Sequence, residues 1–149
     1  MKLNIALAQI NTRLGDVQAN LEKHLSFVKE ARGADLLIFP ELSLTGYVLQ
    51  DLASSVAHQP VAGDPVFTPL LEASRELDLV VGFVDEDARH RFYIASAYLS
   101  QGQVVRVHHK VYLPTYGLFD EGRFFAWGDG ISAFDTRFGR MGLLITACL

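Results

Sequence analysis

Four side chains in this sequence could do chemistry: Glu41, Lys110, Glu121 and Cys148. Glu41 follows the apolar run Leu36–Phe39 and Pro40, so its carboxylate leaves the end of a buried strand into a partly dry environment. Desolvation there raises an acid's pKa towards the range of a general base. Lys110 sits among Val104, Val105, Val107, Val111 and Tyr112, residue types that suit a pleated strand. A charge in such a run is costly to desolvate unless something pairs or uses it. An ammonium held there can stabilise negative charge developing on an oxygen. Asp120 and Glu121 follow in a loop turned by Pro114, Gly117 and Gly122, among Phe119, Phe124, Phe125 and Trp127. A lysine and acids gathered by an aromatic-rich loop have the composition of a buried site, although a structural ion pair uses the same residue types. Cys148 comes just past the apolar run Leu143–Ile145. A lone cysteine is more often inert core than nucleophile.

The histidines make no metal site. His108 and His109 are adjacent on a strand and point to opposite faces, while His24, His58 and His90 lack ligand spacing. No glycine-rich phosphate loop follows any strand, so neither a metal nor a nucleotide cofactor is expected.

The elements that must position these residues alternate between strand and helix. Leu3–Gln9 reads as a buried strand and Leu36–Phe39 as a second. Between them Asp16 is a good helix N-cap, Val17, Leu21, Leu25 and Val28 recur at helical spacing, and Gly33 ends the helix. Strand–helix–strand predicts a parallel α/β sheet with its ligands beyond the carboxyl ends of the strands, where Glu41 falls. Leu42–Tyr47 continues as a loop with Gly46 at its turn, and Gln50–Val61 is helix or loop. Asp64–Pro65 starts a second helix, with Phe67, Leu70, Leu71, Ser74 and Leu77 as its buried stripe. Leu79–Val84 is a further strand. Phe92–Leu99 and Gln103–His108 form a hairpin, and Ile131–Phe134 and Met141–Ile145 a second one. If a site assembles, Glu41 and Lys110 should be mostly buried at the ends of neighbouring strands, with their charges within ion-pair reach.

The 149 residues suffice for one domain with a core, and there is no linker or repeat. A net charge of −4 without Lys/Arg blocks argues against nucleic acid or an anionic membrane as partner. There is no signal peptide and no apolar run of membrane-spanning length. A single cysteine excludes an internal disulfide and fits a reducing cytoplasm.

FPELSLTGY (Phe39–Tyr47) and HHKVYLPTYGLFDEGRFF (His108–Phe125) resemble the first two motifs of the nitrilase, or carbon–nitrogen hydrolase, superfamily. The spelling LPTYGLFDEGRFF is most similar to the glutaminase domains of glutamine-dependent NAD synthetases. The resemblance implies the first half of a four-layer α-β-β-α sandwich, with residues 1–149 forming a hydrolase domain that lacks the family's second half. It also implies roles. Glu41 takes the thiol proton, Lys110 holds the oxyanion, Glu121 is the second glutamate, and a cysteine thiolate attacks an amide or nitrile carbon to form a thioester that water hydrolyses.

The third motif departs from the family. Gly142–Ile145 is followed by Thr146 where the family places its cysteine, and Cys148 lies two residues further on. In an extended strand that shift displaces the sulfur by about 6.7 Å. The Leu149 carboxylate beside it disfavours the thiolate. The expected function is hydrolysis of an amide, such as the glutamine side chain, with release of ammonia. The rivals are an inactive fragment or binding module of the same fold, and a nitrilase acting on a small nitrile. Met141–Ile145, apolar on both faces, is expected to be a strand covered on both sides. Its exposure in this chain predicts self-association into a dimer or larger assembly.

Overall fold

The computed structural model describes residues 2–117 and 119–146. β1 (Ile5–Leu7), α1 (Val17–Glu30) and β2 (Leu36–Ile38) form the first strand–helix–strand unit. Its strands pair in parallel, Ile5 opposite Leu36 and Leu7 opposite Ile38, as a helical crossover requires. The Asp16 carboxylate caps α1 by accepting from the Ala19 N–H at 3.0 Å. Asp64 does the same for α2 (Phe67–Ala73): its Oδ1 accepts from the N–H groups of Val66 and Phe67 at 2.8 and 3.0 Å.

β3 (Asp78–Glu86) joins β2 in parallel, and β4 (Phe92–Ser100) and β5 (Gln103–His109) follow antiparallel. The sheet order is therefore β1-β2-β3-β4-β5. The β4–β5 turn holds Gln101 and Gly102 at φ 52° and 78°, the left-handed pair that a type I′ hairpin needs. Ser74, at the end of α2, fastens this turn: its carbonyl accepts from Gln101 N–H and its hydroxyl from Gly102 N–H.

Alternation along the strands divides the sheet's two faces. Leu37, Leu79, Val81, Phe83 and Ala97 point towards α1 and α2 and pack with Leu21, Phe67 and Leu70. Each large side chain fully buried there contributes about 2 kcal/mol. The opposite face carries Leu36, Val80 and Tyr98. It is partly covered by a small hairpin of β6 (Ala133–Thr136) and β7 (Gly139–Gly142), whose Phe134 meets Tyr98 edge-on. Asp78, 0% exposed, pins that hairpin. It accepts from Tyr98 Oη at 2.7 Å and Ser100 Oγ at 2.8 Å, and pairs with the Arg137 guanidinium at 2.9 Å.

Two expectations need correction. β1 is shorter than Leu3–Gln9, and Ile5 and Leu7 are 51% and 77% exposed, because only Ala6 and Ala8 face the helical layer. The C-terminal strand ends at Gly142, and Leu144 is exposed. Met141 and Leu143 alone reach the Leu36–Val80–Tyr98 cluster, so Met141–Ile145 is not a strand covered on both sides. Gln50–Val61 opens as a 3-10 helix over Gln50–Ser55. No helix among the described residues is long and apolar enough to cross a membrane.

Candidate active site

Glu41 is carried by an interruption in the β2–β3 ladder. Phe39 N–H donates to the Val80 carbonyl at 2.9 Å, and the next rung is Leu44 N–H to the Gly82 carbonyl at 3.0 Å. Between these rungs four residues on one side thus face one on the other, and the surplus forms the turn that bears Glu41. A Cβ on Gly82 would stand 2.5 Å from both the Pro40 carbonyl oxygen and the Leu42 nitrogen, so only glycine lets the turn lie on β3. Within the turn, Leu42 takes φ 52°, a left-handed conformation that a leucine adopts only when its surroundings impose it. Burial of the Leu42 side chain, 1% exposed, supplies that constraint.

Behind the turn lies a polar chain that is closed to solvent: Asn20, His24 and Ser43 are each 0% exposed. The Asn20 side chain donates to the carbonyls of Arg13 and Leu44 and accepts from Arg13 N–H. The Asn20 carbonyl can only accept, so His24 Nδ1, 2.7 Å away, carries a proton. Burial holds the imidazole's pKa down to about 4, so Nε2 is bare near neutrality and accepts from the Ser43 hydroxyl at 2.9 Å. Ser43 Oγ in turn accepts from Gly82 N–H. The side-chain polar atoms of Asn20, His24 and Ser43 thereby all have partners, which stiffens the support of the turn that carries Glu41.

Lys110 follows the last residue of β5. Its N–H donates to the Ile94 carbonyl and its own carbonyl accepts from Gly128 N–H, each at 2.8 Å. Gly128 repeats the device seen at Gly82: a Cβ would stand 2.8 Å from the His109 carbonyl carbon. Glu121 opens the one-turn helix α3 (Glu121–Phe124), with its N–H donating to the Pro114 carbonyl.

The three side chains meet. Lys110 Nζ donates to Glu41 Oε1 at 2.7 Å and to Glu121 Oε1 at 3.0 Å. Glu121 Oε2 is also 3.0 Å from Nζ but off the hydrogen-bonding direction. Lys110 and Glu121 are 2% and 5% exposed, whereas the Glu41 side chain keeps 25% of its surface. Desolvation raises the Glu41 pKa, against the pull of the Lys110 hydrogen bond and charge, and the Glu121 charge adds to the rise. An ammonium has three N–H groups and two are engaged by carboxylates, so one is left for a substrate oxygen. The tyrosine hydroxyl of Tyr47 also donates to Glu121 Oε1.

A cavity of about 600 Å³ adjoins Glu41, walled by Ile38, Val80, Tyr98, Phe134 and Met141 and reaching Thr146. A second, of about 240 Å³, adjoins Glu121 and is lined by Tyr47, Phe119 and Arg123.

Glu41, Lys110 and Glu121 therefore come together as their types foretold, but not from neighbouring strands. β3 and β4 separate β2 from β5, and the Gly82 crossing is what brings Glu41 within reach. Cys148 lies outside the described residues, and Thr146 is exposed. His109 pairs with Asp85 at 2.7 Å and stacks on Tyr93, and among the described residues no cluster of three or more metal-ligating side chains forms. Tyr47, Ser43, His24, Asn20, Gly82 and Gly128 were not foreseen. Gly82, an isolated glycine within an apolar strand, carried a usable signal. So did Asn20 and His24, two polar residues four apart in the first helix.

Comparison with known proteins identifies the family of the chain. The family model of carbon–nitrogen hydrolases matches residues 4–147. The glutamine-dependent NAD(+) synthetase of Thermotoga maritima is 34% identical over 99% of this chain and 25% of its own length. The structure of the glutamine-dependent NAD+ synthetase from Acinetobacter baumannii superposes with a TM-score of 0.80 at 31% identity, over 97% of this chain and 28% of that one. An amidase from Nesterenkonia sp. superposes at 0.79 with 27% identity, over 95% of this chain and 54% of the amidase. A variant of the amidase from Nesterenkonia sp. AN1 carries the acetamide moiety of fluoroacetamide covalently added at its active site cysteine. The chain thus spans about a quarter of the synthetases and about half of the amidase. On its sequence, its fold and the match along nearly its whole length, this chain belongs to the carbon–nitrogen hydrolase family.

Proposed function

We propose that the chain hydrolyses a carbon–nitrogen bond of a small amide, with the side-chain amide of glutamine as the favoured substrate and ammonia as the product. The observation that carries this reading is Lys110, buried between Glu41 and Glu121 with one N–H left over. Burial raises the Glu41 pKa above that of an ordinary carboxylate, which makes it a better acceptor of a proton. The lysine's remaining N–H is set to hold an oxyanion. The reading requires a cysteine thiol as nucleophile, and Cys148 is the one thiol in the chain, so its sulfur must reach the site from two residues beyond the Thr146 slot. Glu41 takes the thiol proton, the thiolate adds to the carbonyl carbon, and the amide nitrogen leaves as ammonia once protonated. Water then cleaves the thioester.

The relatives' names support glutamine over a nitrile, since the synthetases are described as glutamine-dependent. Ammonia release from glutamine, short aliphatic amides and small nitriles tests the reading. Glutamine should be turned over fastest, with a transient acyl adduct on Cys148 in the mass spectrum. Release from nitriles alone would reassign the substrate, and no release with no adduct would overturn the reading.

We also propose that the chain works in a reducing cytoplasm as an assembly of copies. Exposed Ile5 and Leu7, on the face not covered by α1 and α2, support association. Light scattering across a dilution series should show a dimer or larger species, and a monomer at every concentration would refute it.

A further inference from the structure

We propose that Tyr47 is a positioning residue of the Glu41–Lys110–Glu121 row, one that keeps Glu121 from capturing the lysine proton meant for substrate. The inference rests on the hydrolase reading above and adds a member to its site. Tyr47 lies six residues past Glu41, on the far arm of the same loop. Its backbone is held by Gly46, whose φ of 81° and close approach to Leu14 admit no side chain without strain. Its ring meets Phe119 edge-on with centroids 6.1 Å apart, so the loop that bears Glu121 grips it from the other side. Its hydroxyl donates to Glu121 Oε1, the oxygen that also accepts from Lys110.

The consequence follows from counting donors and acceptors. Glu121 Oε1 has two donors, while Oε2 is buried, 3.0 Å from Lys110 Nζ, and makes no in-line hydrogen bond. A buried carboxylate oxygen without a donor is costly, and a small rotation of the carboxylate would bring Oε2 into line with the ammonium. The bond from Tyr47 resists that rotation. Without it, Glu121 would take two of the ammonium's three protons and Glu41 the third, leaving none for an oxyanion. A loss of this kind is felt in the transition state and not in substrate binding, so it lowers kcat and spares KM.

The test is a double-mutant cycle in the full chain with Tyr47→Phe and Glu121→Gln, read by ammonia release from glutamine and by the 15N shift of the Lys110 ammonium. Phenylalanine keeps the ring against Phe119, and an unchanged melt confirms the fold. Tyr47→Phe should lower kcat about tenfold, the scale of one hydrogen bond to a charged group, with KM within about twofold. The Lys110 shift should move, and Tyr47→Phe should add nothing in the Glu121→Gln background. An unchanged kcat and shift overturn the proposal, as does a full effect of Tyr47→Phe in the Glu121→Gln background. If the wild-type chain releases no ammonia, the hydrolase reading fails by itself. The Lys110 shift still decides whether Tyr47 acts on the row through Glu121.

Discussion

Gly82 and Leu42 are in van der Waals conflict with any side chain larger than hydrogen: a Cβ on Gly82 would stand 2.5 Å from the Leu42 nitrogen. The Glu41 turn rests on this gap in β3. Gly82→Ala must push the turn off the strand and disturb the Ser43 hydroxyl that bonds Gly82 N–H. Overpacking of this kind costs about 2 kcal/mol, which chemical denaturation should show. Activity should fall further than stability accounts for, because Glu41 moves relative to Lys110. A variant as stable and as active as the wild type would mean that the turn is not held by this contact.

Replacing Lys110 by methionine leaves two carboxylates facing each other. Breaking a buried charge cluster in this way costs about 3 kcal/mol at neutral pH. The pH dependence has a definite sign. Glu41 already has a raised pKa, and loss of the lysine removes what pulls it down. Above pH 4.5 the folded variant keeps a proton that the unfolded chain releases, so its stability falls as pH rises through that window. Melting temperatures of Lys110→Met should therefore be higher at pH 5 than at pH 8, relative to the wild type. A flat difference between the two proteins would count against the coupling.

His24 contributes with the opposite sign. Its ring is held at a pKa of about 4 against an ordinary 6.5. Between these values the unfolded chain binds the proton and the folded chain does not, so stability falls as pH drops from 6.5 to about 4. The full loss is about 3 kcal/mol. NMR titration of the ring reads this without interference from Glu41. Its midpoint should lie near 4, and one near 6.5 would show that the ring is open to water.

Arg137 and Asp78 tie the β6–β7 hairpin to the sheet. Arg137→Ala leaves a carboxylate of 0% exposure without its cation, at a cost of about 3 kcal/mol. Asp78→Asn in the same chain should recover part of that loss, because it removes the unpaired charge while the amide oxygen still accepts from one of the two hydroxyls, Tyr98 or Ser100, that now bond separate carboxylate oxygens. No recovery in the double variant, measured by urea melts, would place the damage in Arg137 packing and not in the buried charge.

The sequence made some of this legible and hid the rest for physical reasons. Glu41, Lys110 and Glu121 stood out because charged residues inside apolar runs are unfavourable unless they meet. Helix caps at Asp16 and Asp64 and the β4–β5 hairpin were visible because they are local. The Gly82 crossing was not, since it depends on a chain segment some forty residues earlier in the sequence lying on that strand. The role of Tyr47 cannot be read from its own stretch of sequence, because its partner Glu121 lies 74 residues away. Met141–Ile145 misled because apolar composition reports what a segment would bury, not what stands ready to cover it. Leu144 is 55% exposed for that reason.

If the Glu41–Lys110 pair drives amide hydrolysis, ammonia release from glutamine must collapse in Glu41→Gln, and its rate in the full chain and in that variant decides the matter. Glutamine at position 41 keeps the size of the side chain and an oxygen for Lys110, but it cannot accept a proton from the thiol. Measurable release by the wild type and a fall of at least about 100-fold in the variant, with an unchanged fold, are expected. Equal rates from the two proteins, or no release from the wild type, would contradict that role of the pair.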